Sequence, residues 1–210
     1  MHIDKRINKD NWDEIKDILP QITDIKSLDL SERGLTEFPK MSHITIIEWF
    51  NCSYNQITSF KNCPQISGVF YCHDNQITSF KDCPQIGSYF FCHNNKISSF
   101  KDCPIIKGSF HCSNNQITSF KSCPKISGDF WCHGNNITSF KDFPDIGGGL
   151  FSNFRLFDTV HKYSKENKIS LLEAQVELYN QQDKQLLAHI DKFPDLVAYI
   201  RLKECSKLLD

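Results

Sequence analysis

A 20-residue repeat between positions 50 and 149 constrains the fold of this chain more than any other feature. Five consecutive units follow the pattern F-x-C-x-x-N-x-I-[TS]-S-F-K-x-C-P-x-I, with small departures. A unit this short cannot bury its own apolar side chains, so neighbouring units must stack into a solenoid with one continuous core. The asparagine of the pattern recurs at Asn55, Asn75, Asn95, Asn115 and Asn135.

The spacing inside the repeat predicts where each unit is extended and where it bends. The Phe and Cys of F-x-C are two residues apart, so both face inward on a strand, and stacked strands lie parallel at about 4.8 Å. The asparagine that follows is expected to satisfy exposed backbone groups at a corner, and its copies to form a ladder. Twenty residues leave no room for an outer helix. We therefore expect an α/β solenoid with one short parallel strand per turn and little or no helix on the outer face.

Weaker copies of the pattern flank the five units and set the expected boundaries. Leu28, Leu30 and Leu35 precede them on the same template, and the register is expected to continue through Arg155 and Val160. Residues 25–160 are thus predicted to form a solenoid of about seven turns. Exposed solenoid ends need caps, so we expect helical caps at residues 1–24 and 161–210. The first would contain a helix over residues 9–18, with Trp12, Ile15 and Ile18 at helical spacing, and in the second Ser170-Leu-Leu-Glu173 is a capping-box sequence.

The template resembles the leucine-rich-repeat signature L-x-x-L-x-L-x-x-N/C-x-L, whose period is 20 to 29 residues. The spacing is similar to the 20-residue repeats of bacterial type III effectors, whose units end in two Leu-Pro pairs; Phe38-Pro39 resembles the first pair and Cys63-Pro64 the second. The use of Phe and Cys in place of Leu resembles leucine-rich-repeat proteins of giant DNA viruses. The resemblance covers roughly residues 25 to 160. It implies an arc whose strands line a concave, partner-binding face.

Nine of the ten cysteines fall in register with the repeat. The favoured interpretation is that cysteine serves as a small apolar side chain in a tight core. Disulfides along a column would meet the distance requirement but not the required direction of the Cβ atoms, and a zinc site prefers a C-x₂₋₄-C pair, which this column spacing does not offer. With no secretory signal sequence evident at the N-terminus, we expect reduced thiols. The two columns are Cys52, Cys72, Cys92, Cys112 and Cys132, and Cys63, Cys83, Cys103 and Cys123.

Charge and hydropathy argue against two classes of partner. The 24 basic and 25 acidic side chains give a formal net charge of -1, so no global field attracts nucleic acid. No apolar run approaches the roughly 18 residues of a membrane helix. We expect no nucleic acid and no membrane partner, and a cytoplasmic location, which would be host cytoplasm or virion if the protein is viral.

The outward positions of the predicted strands vary between repeats and are rich in aromatic residues. Their middle column reads Asn51, Tyr71, Phe91, His111, Trp131 and Phe151. Contiguous exposed aromatic side chains mark interaction sites. Two alternatives stay open: the rings stack and stiffen the sheet, or the C-terminal segment folds back over them. The residues that we expect to contact a partner are Trp49, Tyr71, His73, Tyr89, Phe91, His93, His111, Trp131, His133 and Phe151.

Histidines in this region suggest a second, weaker idea. His73 and His93 are expected to be neighbours about 5 Å apart, with His111 one column over, where they could bind a transition metal or titrate near neutral pH. A pair with no carboxylate behind it is more typical of a polar rim. We therefore predict neither a metal nor a cofactor.

No catalytic motif is evident: G-x-S-x-G, the P-loop and H-E-x-x-H are all missing. The resemblance to effectors does not extend to a ligase domain, because the roughly 50 residues after the repeats are too few. The sequence thus favours a non-enzymatic protein–protein interaction scaffold, as a monomer rather than an oligomer. The alternatives are a self-associating structural solenoid and a ubiquitin-ligase substrate adaptor.

Overall fold

A computed structural model describes residues 1–8, 11–139, 141–153 and 155–181, together with positions 183, 187, 188, 191, 193, 194, 196 and 197. In this part the chain coils into a parallel β-solenoid, with helices covering its C-terminal end. The strands are β1 (His2–Ile7), β2 (Asp24–Asp29), β3 (Thr45–Asn51), β4 (Gln65–Ile66), β5 (Val69–Tyr71), β6 (Phe90–Phe91), β7 (Phe110–His111), β8 (Phe130–Trp131) and β9 (Leu150–Phe151). The helices are α1 (Arg155–Asn167) and α2 (Leu171–Asn180).

The nine described strands form one parallel sheet in the order β1-β2-β3-β5-β6-β7-β8-β9, with β4 also pairing with β3. From β3 to β9 the register advances by one repeat per strand, so Phe70 pairs with Phe90 and Phe90 with Phe110. A second line of single bridges runs through the isoleucine of each repeat, from Ile66 to Ile146. The expected solenoid with one short parallel strand per turn is confirmed, and each turn is tied to the next at two points.

Stacked phenylalanines fill the core. From β3 to β8 the inward Phe of one turn lies on its equivalent in the next, with ring centroids 5.4 Å apart for Phe50–Phe70 and 5.6 Å for Phe110–Phe130. A second stack, represented by Phe60–Phe80, has a centroid separation of 6.4 Å. Nearly parallel, offset rings at these distances combine area burial with favourable aromatic contact. The repeat therefore conserves Phe where a ring must meet its own copy in the next turn.

The asparagine ladder is confirmed in detail. Asn95 is buried; its Nδ2 donates to the carbonyls of Cys72 (3.0 Å) and Cys92 (3.1 Å), and its Oδ1 accepts from the backbone N–H of Ile77 (2.9 Å). Asn75 and Asn115 make the equivalent bonds one turn away. Each amide thus satisfies backbone groups of two adjacent turns at the corner where the strand ends.

The cysteine columns lie in the core as free thiols among the described residues. Cys52, Cys72, Cys92 and Cys112 are fully buried. Burial raises the pKa of these thiols, because the thiolate would lose its solvation. Their role as small apolar side chains agrees with the expectation from the sequence, while Cys205 lies outside the described residues.

The N-terminal segment corrects one expectation. Residues 1–24 were predicted to form a helical cap, but β1 occupies their first part and pairs in parallel with β2. Two short 3₁₀ helices follow at Trp12–Glu14 and Lys16–Gln21, and Pro20 lies inside the second, where it cannot donate the bond of an α-helix. Trp12 and Ile15 are buried as expected, so this segment still covers the end of the core. Residues 9 and 10 of the predicted helix lie outside the described residues.

The C-terminal end is capped by helices. The repeat was expected to continue through Arg155 and Val160, but this prediction was wrong, because α1 starts at Arg155 and lays Val160 and His161 on the last turn. His161 Nε2 donates to the carbonyl of Gly148 at 3.0 Å. The capping box at Ser170 and Glu173 is confirmed at the start of α2. The further helix expected after Pro194 lies largely outside the described residues.

Candidate interaction face of the sheet

Five aromatic side chains lie side by side on the face of strands β5 to β9 that points away from the core. We call Tyr71, Phe91, His111, Trp131 and Phe151 the aromatic strip; the strand register pairs each with the next. The Tyr71–Phe91 rings are stacked at 4.9 Å and the Trp131–Phe151 rings at 5.0 Å, while His111 is tilted between these pairs. The middle column predicted from the sequence is thereby assembled as one continuous surface.

The strip combines internal stacking with exposure. Phe151 is 45% exposed, and the other four rings are partly exposed. Stacking therefore holds the rings in fixed positions but leaves part of each accessible to solvent. Ordered aromatic side chains lose little conformational entropy when they contact another surface.

The residues two positions before those of the strip form a second column of outward side chains, and their type changes along the solenoid. Tyr89 is 48% exposed and extends the aromatic surface. Two turns later this column carries Asp129, whose Oδ1 accepts from the backbone N–H of Gly149 at 2.7 Å, and whose own N–H donates to Ser109 Oγ at 3.0 Å. The aromatic surface is thus bordered by satisfied polar groups at its C-terminal end.

Trp49, at the other end of this column, is partly covered. The guanidinium of Arg6 lies 4.6 Å above its ring centroid and also approaches Asp29 Oδ2 at 3.5 Å. Together with Asn51 and Tyr71 these groups line a shallow depression of about 260 Å³ that reaches His73. Neither Arg6 nor Asp29 was predicted at the site. Arg6 was assigned to a cap rather than to a strand, so its place beside Trp49 was not foreseen.

Four histidines form a row of neighbouring rings at the edge of the strip. We call His73, His93, His111 and His133 the histidine row; His111 also belongs to the aromatic strip. His73 and His93 lie with ring centroids 4.4 Å apart and an interplanar angle of 10°, and His93 and His111 at 4.2 Å and 24°. His111 therefore leans from its own column toward His93. His133 is 6.0 Å from His111, and its Nδ1 lies 3.1 Å from Ser113 Oγ. The expected neighbour relation between His73 and His93 is confirmed.

Burial and mutual repulsion favour the neutral form of the central rings. The pKa of His93 is lowered from 6.5 to about 4, first by desolvation and then by the charges that His111 and His73 would carry. The pKa of His111 is lowered for the same reasons, with desolvation again the largest cause and His133 the next. The lowered pKa values favour uncharged His93 and His111 at neutral pH, so these two rings form a weakly polar continuation of the aromatic strip.

One group of described residues could offer three ligands to a metal ion. The ligand atoms of His73, Asp74 and His93 all lie within 4.8 Å of one another. Asp74 Oδ2 accepts from His73 Nδ1 at 2.8 Å, and its Oδ1 accepts from Asn94 Nδ2 at 2.9 Å. Asp74 was missed from the sequence, because Asp occupies this position of the repeat in only one of the five units.

Comparisons with protein-family models, with curated proteins and with solved structures found no match to this chain. Among the described residues, no helix has the length and apolar character required to cross a membrane.

Proposed function

We propose that this protein is a non-enzymatic scaffold that binds a protein partner on the aromatic strip and the histidine row beside it. The observation that carries the proposal is the run of five adjacent rings on one exposed sheet face, from Tyr71 to Phe151. Aromatic residues in contiguous exposed patches dominate the energetics of protein interfaces.

The variation between repeats supports the same proposal. The core holds Phe in every complete unit, as at Phe70, Phe90, Phe110 and Phe130, because each ring must pack on its copy. The strip carries a different side chain in nearly every turn. Packing restricts the first set, whereas the second set can be adjusted to the shape of a partner.

The non-enzymatic part of the proposal rests on the state of the reactive groups. The nine described thiols are buried or nearly so, and desolvation raises their pKa, so none is held as a nucleophilic thiolate. His93 and His111 contact each other and aromatic rings rather than a nucleophile that they could activate.

We also propose that this chain is related to leucine-rich-repeat proteins with 20-residue units, such as those of bacterial effectors and giant DNA viruses. Its support is the short period, the asparagine ladder and the Cys-Pro pairs such as Cys63-Pro64. With it we propose a cytoplasmic setting, host cytoplasm or virion for a viral protein, and a monomeric scaffold.

The test is affinity capture from a host-type lysate with matched variants. The strip variant carries Tyr71→Ala, Phe91→Ala and Trp131→Ala; the control variant carries Gln65→Ala, Gln85→Ala and Ile105→Ala, three exposed positions away from the strip. Circular dichroism and urea unfolding establish that both variants fold. We expect a partner that the wild type and the control retain and the strip variant loses.

Two results would overturn the proposal. Equal retention by all three proteins would move the site to the C-terminal helices or another edge, as in an adaptor. Light scattering that shows an oligomer of the wild type, converted to monomer by the strip substitutions, would assign the strip to self-association and favour a structural role.

A further inference from the structure

Two imidazoles and a carboxylate meet at the edge of the aromatic strip, where strands β5 and β6 end. The ligand atoms of His73, Asp74 and His93 lie within 4.8 Å of one another, and all three side chains are partly exposed. The sequence placed only a pair of histidines here, and such a pair without a carboxylate is a polar rim. Asp74 supplies that carboxylate, so the cluster offers the two kinds of ligand, imidazole and carboxylate, that transition metals take.

Asp74 is fixed by its surroundings. Its backbone has a φ of 54°, the left-handed region that Asp and Asn tolerate best among side-chain-bearing residues. One carboxylate oxygen accepts from His73 and the other from Asn94. The first bond keeps His73 Nδ1 and Asp74 Oδ2 2.8 Å apart, a separation that two ligands of one ion with metal–ligand distances of about 2 Å can adopt.

His93 brings an unsatisfied group to the same place. Its Nδ1 is buried and has no hydrogen-bond partner among the described residues, although buried polar atoms are nearly always paired. A nitrogen lone pair in this position is available to a cation.

We propose that His73, Asp74 and His93 form a binding site for a divalent transition-metal ion such as Zn²⁺, with water completing its coordination. Imidazole and carboxylate ligands suit zinc, cobalt and nickel. The site adjoins the aromatic strip, because His93 stacks on His111 at 4.2 Å, so a bound ion would place positive charge beside that face. This site does not depend on the proposed protein-binding function.

Coordination requires a defined rearrangement. The His73 and His93 rings are nearly parallel at 4.4 Å, and a metal lies in the plane of each imidazole that binds it. Because His73 is held by its hydrogen bond to Asp74, His93 is the ring that must rotate about χ2, a torsion with a broad minimum for histidine. Rotation of His93 breaks its stacking on His111, which is 4.2 Å away. Metal binding should thus shift the imidazole NMR signals of His111 as well as those of the ligands.

The repeat itself supplies conservative test variants. Serine occupies the histidine position at Ser53 and Ser113, and asparagine occupies the Asp74 position at Asn94 and Asn114. His73→Ser, His93→Ser and Asp74→Asn therefore replace each ligand by a residue that this fold already accepts there. His133→Ser is the matched control, since it makes the same change in the same column outside the site.

The full chain is titrated with Zn²⁺ by calorimetry and with Co²⁺ by visible spectroscopy, after circular dichroism establishes that each variant folds. We expect one ion per chain, affinity that falls at least about tenfold in each ligand variant and an unchanged affinity in His133→Ser. No binding by the wild type, equal binding by the ligand variants, or a thiolate-to-cobalt charge-transfer band would each overturn the proposal, the last by assigning the ion to a cysteine.

Discussion

Replacing Asn95 by alanine tests the asparagine ladder at the middle of the solenoid. The side chain is buried, and its Oδ1 is the acceptor for the backbone N–H of the fully buried Ile77. Its Nδ2 donates to the carbonyls of Cys72 and Cys92, each of which also accepts from a second asparagine of the ladder. Alanine therefore leaves one N–H without a partner and removes the two N–H donors that the carbonyls of Cys72, Cys92 and His93 share.

The expected loss follows from these contacts. An unsatisfied buried N–H costs about 2 kcal/mol, and each lost bond to a carbonyl that keeps another partner costs about 1 kcal/mol. We expect Asn95→Ala to lower the free energy of unfolding by about 4 kcal/mol. Urea unfolding followed by far-ultraviolet circular dichroism measures this as a lower midpoint at an unchanged m-value.

The neighbouring residue Lys96 provides the control. Its side chain is exposed, and the equivalent position in the two adjacent repeats is Gln76 and Gln116. Lys96→Gln should therefore change the free energy of unfolding by no more than about 0.5 kcal/mol. The reasoning is refuted if Asn95→Ala costs less than about 1 kcal/mol, or if the control costs as much as Asn95→Ala.

Three further outcomes are expected. The thiol of Cys92 should resist iodoacetamide at pH 8 in the folded protein and react in urea, because burial raises its pKa; mass spectrometry that finds native alkylation would contradict this. The low pKa of His93 means that the unfolded chain takes up a proton first, so stability should fall between pH 6.5 and about 4, and His93→Ser should reduce that loss in urea titrations. Ser170→Ala should remove the capping box and reduce the helical circular dichroism signal, at a cost of about 1 kcal/mol; an unchanged spectrum and midpoint would argue against it.

The interior of the solenoid could be predicted because its constraints are local and repeated. Each Phe of F-x-C meets its copy 20 residues away, so the period alone specifies the register that pairs Phe90 with Phe110. The outward column from Tyr71 to Phe151 follows from the same register. Once the period is known, the strands, the asparagine ladder and the aromatic strip follow from it.

The ends could not be predicted in the same way, because they are not repeats. Ile3 and Ile7 are separated by three polar residues, a spacing that does not indicate a strand, and the helical spacing of Trp12 and Ile15 led to the prediction of a helix. At the other end, Val160 fits both the repeat and a helix, and the structure adopts the helix because it covers the last turn.

The histidine row shows a different limit. The sequence places His111 one column away from His73 and His93, yet its ring tilts until it lies 4.2 Å from His93. A column assignment gives the strand position but not the χ angles, which depend on the shapes of Phe91 and Trp131 on either side. Asp74 was missed because a residue that occurs in only one of the five repeat units carries no periodic signal.

Site-specific photo-cross-linking in a host-type lysate tests the binding claim most directly. A photoreactive phenylalanine analogue is placed at Phe91, within the aromatic strip, and in a separate protein at Ile105, an exposed residue away from it. We predict an adduct between position 91 and another protein, competed away by unlabelled wild type but not by the Tyr71→Ala, Phe91→Ala, Trp131→Ala variant, and no such adduct from position 105. An adduct of position 91 with a second copy of this chain, or a partner captured equally from both positions, would contradict the account.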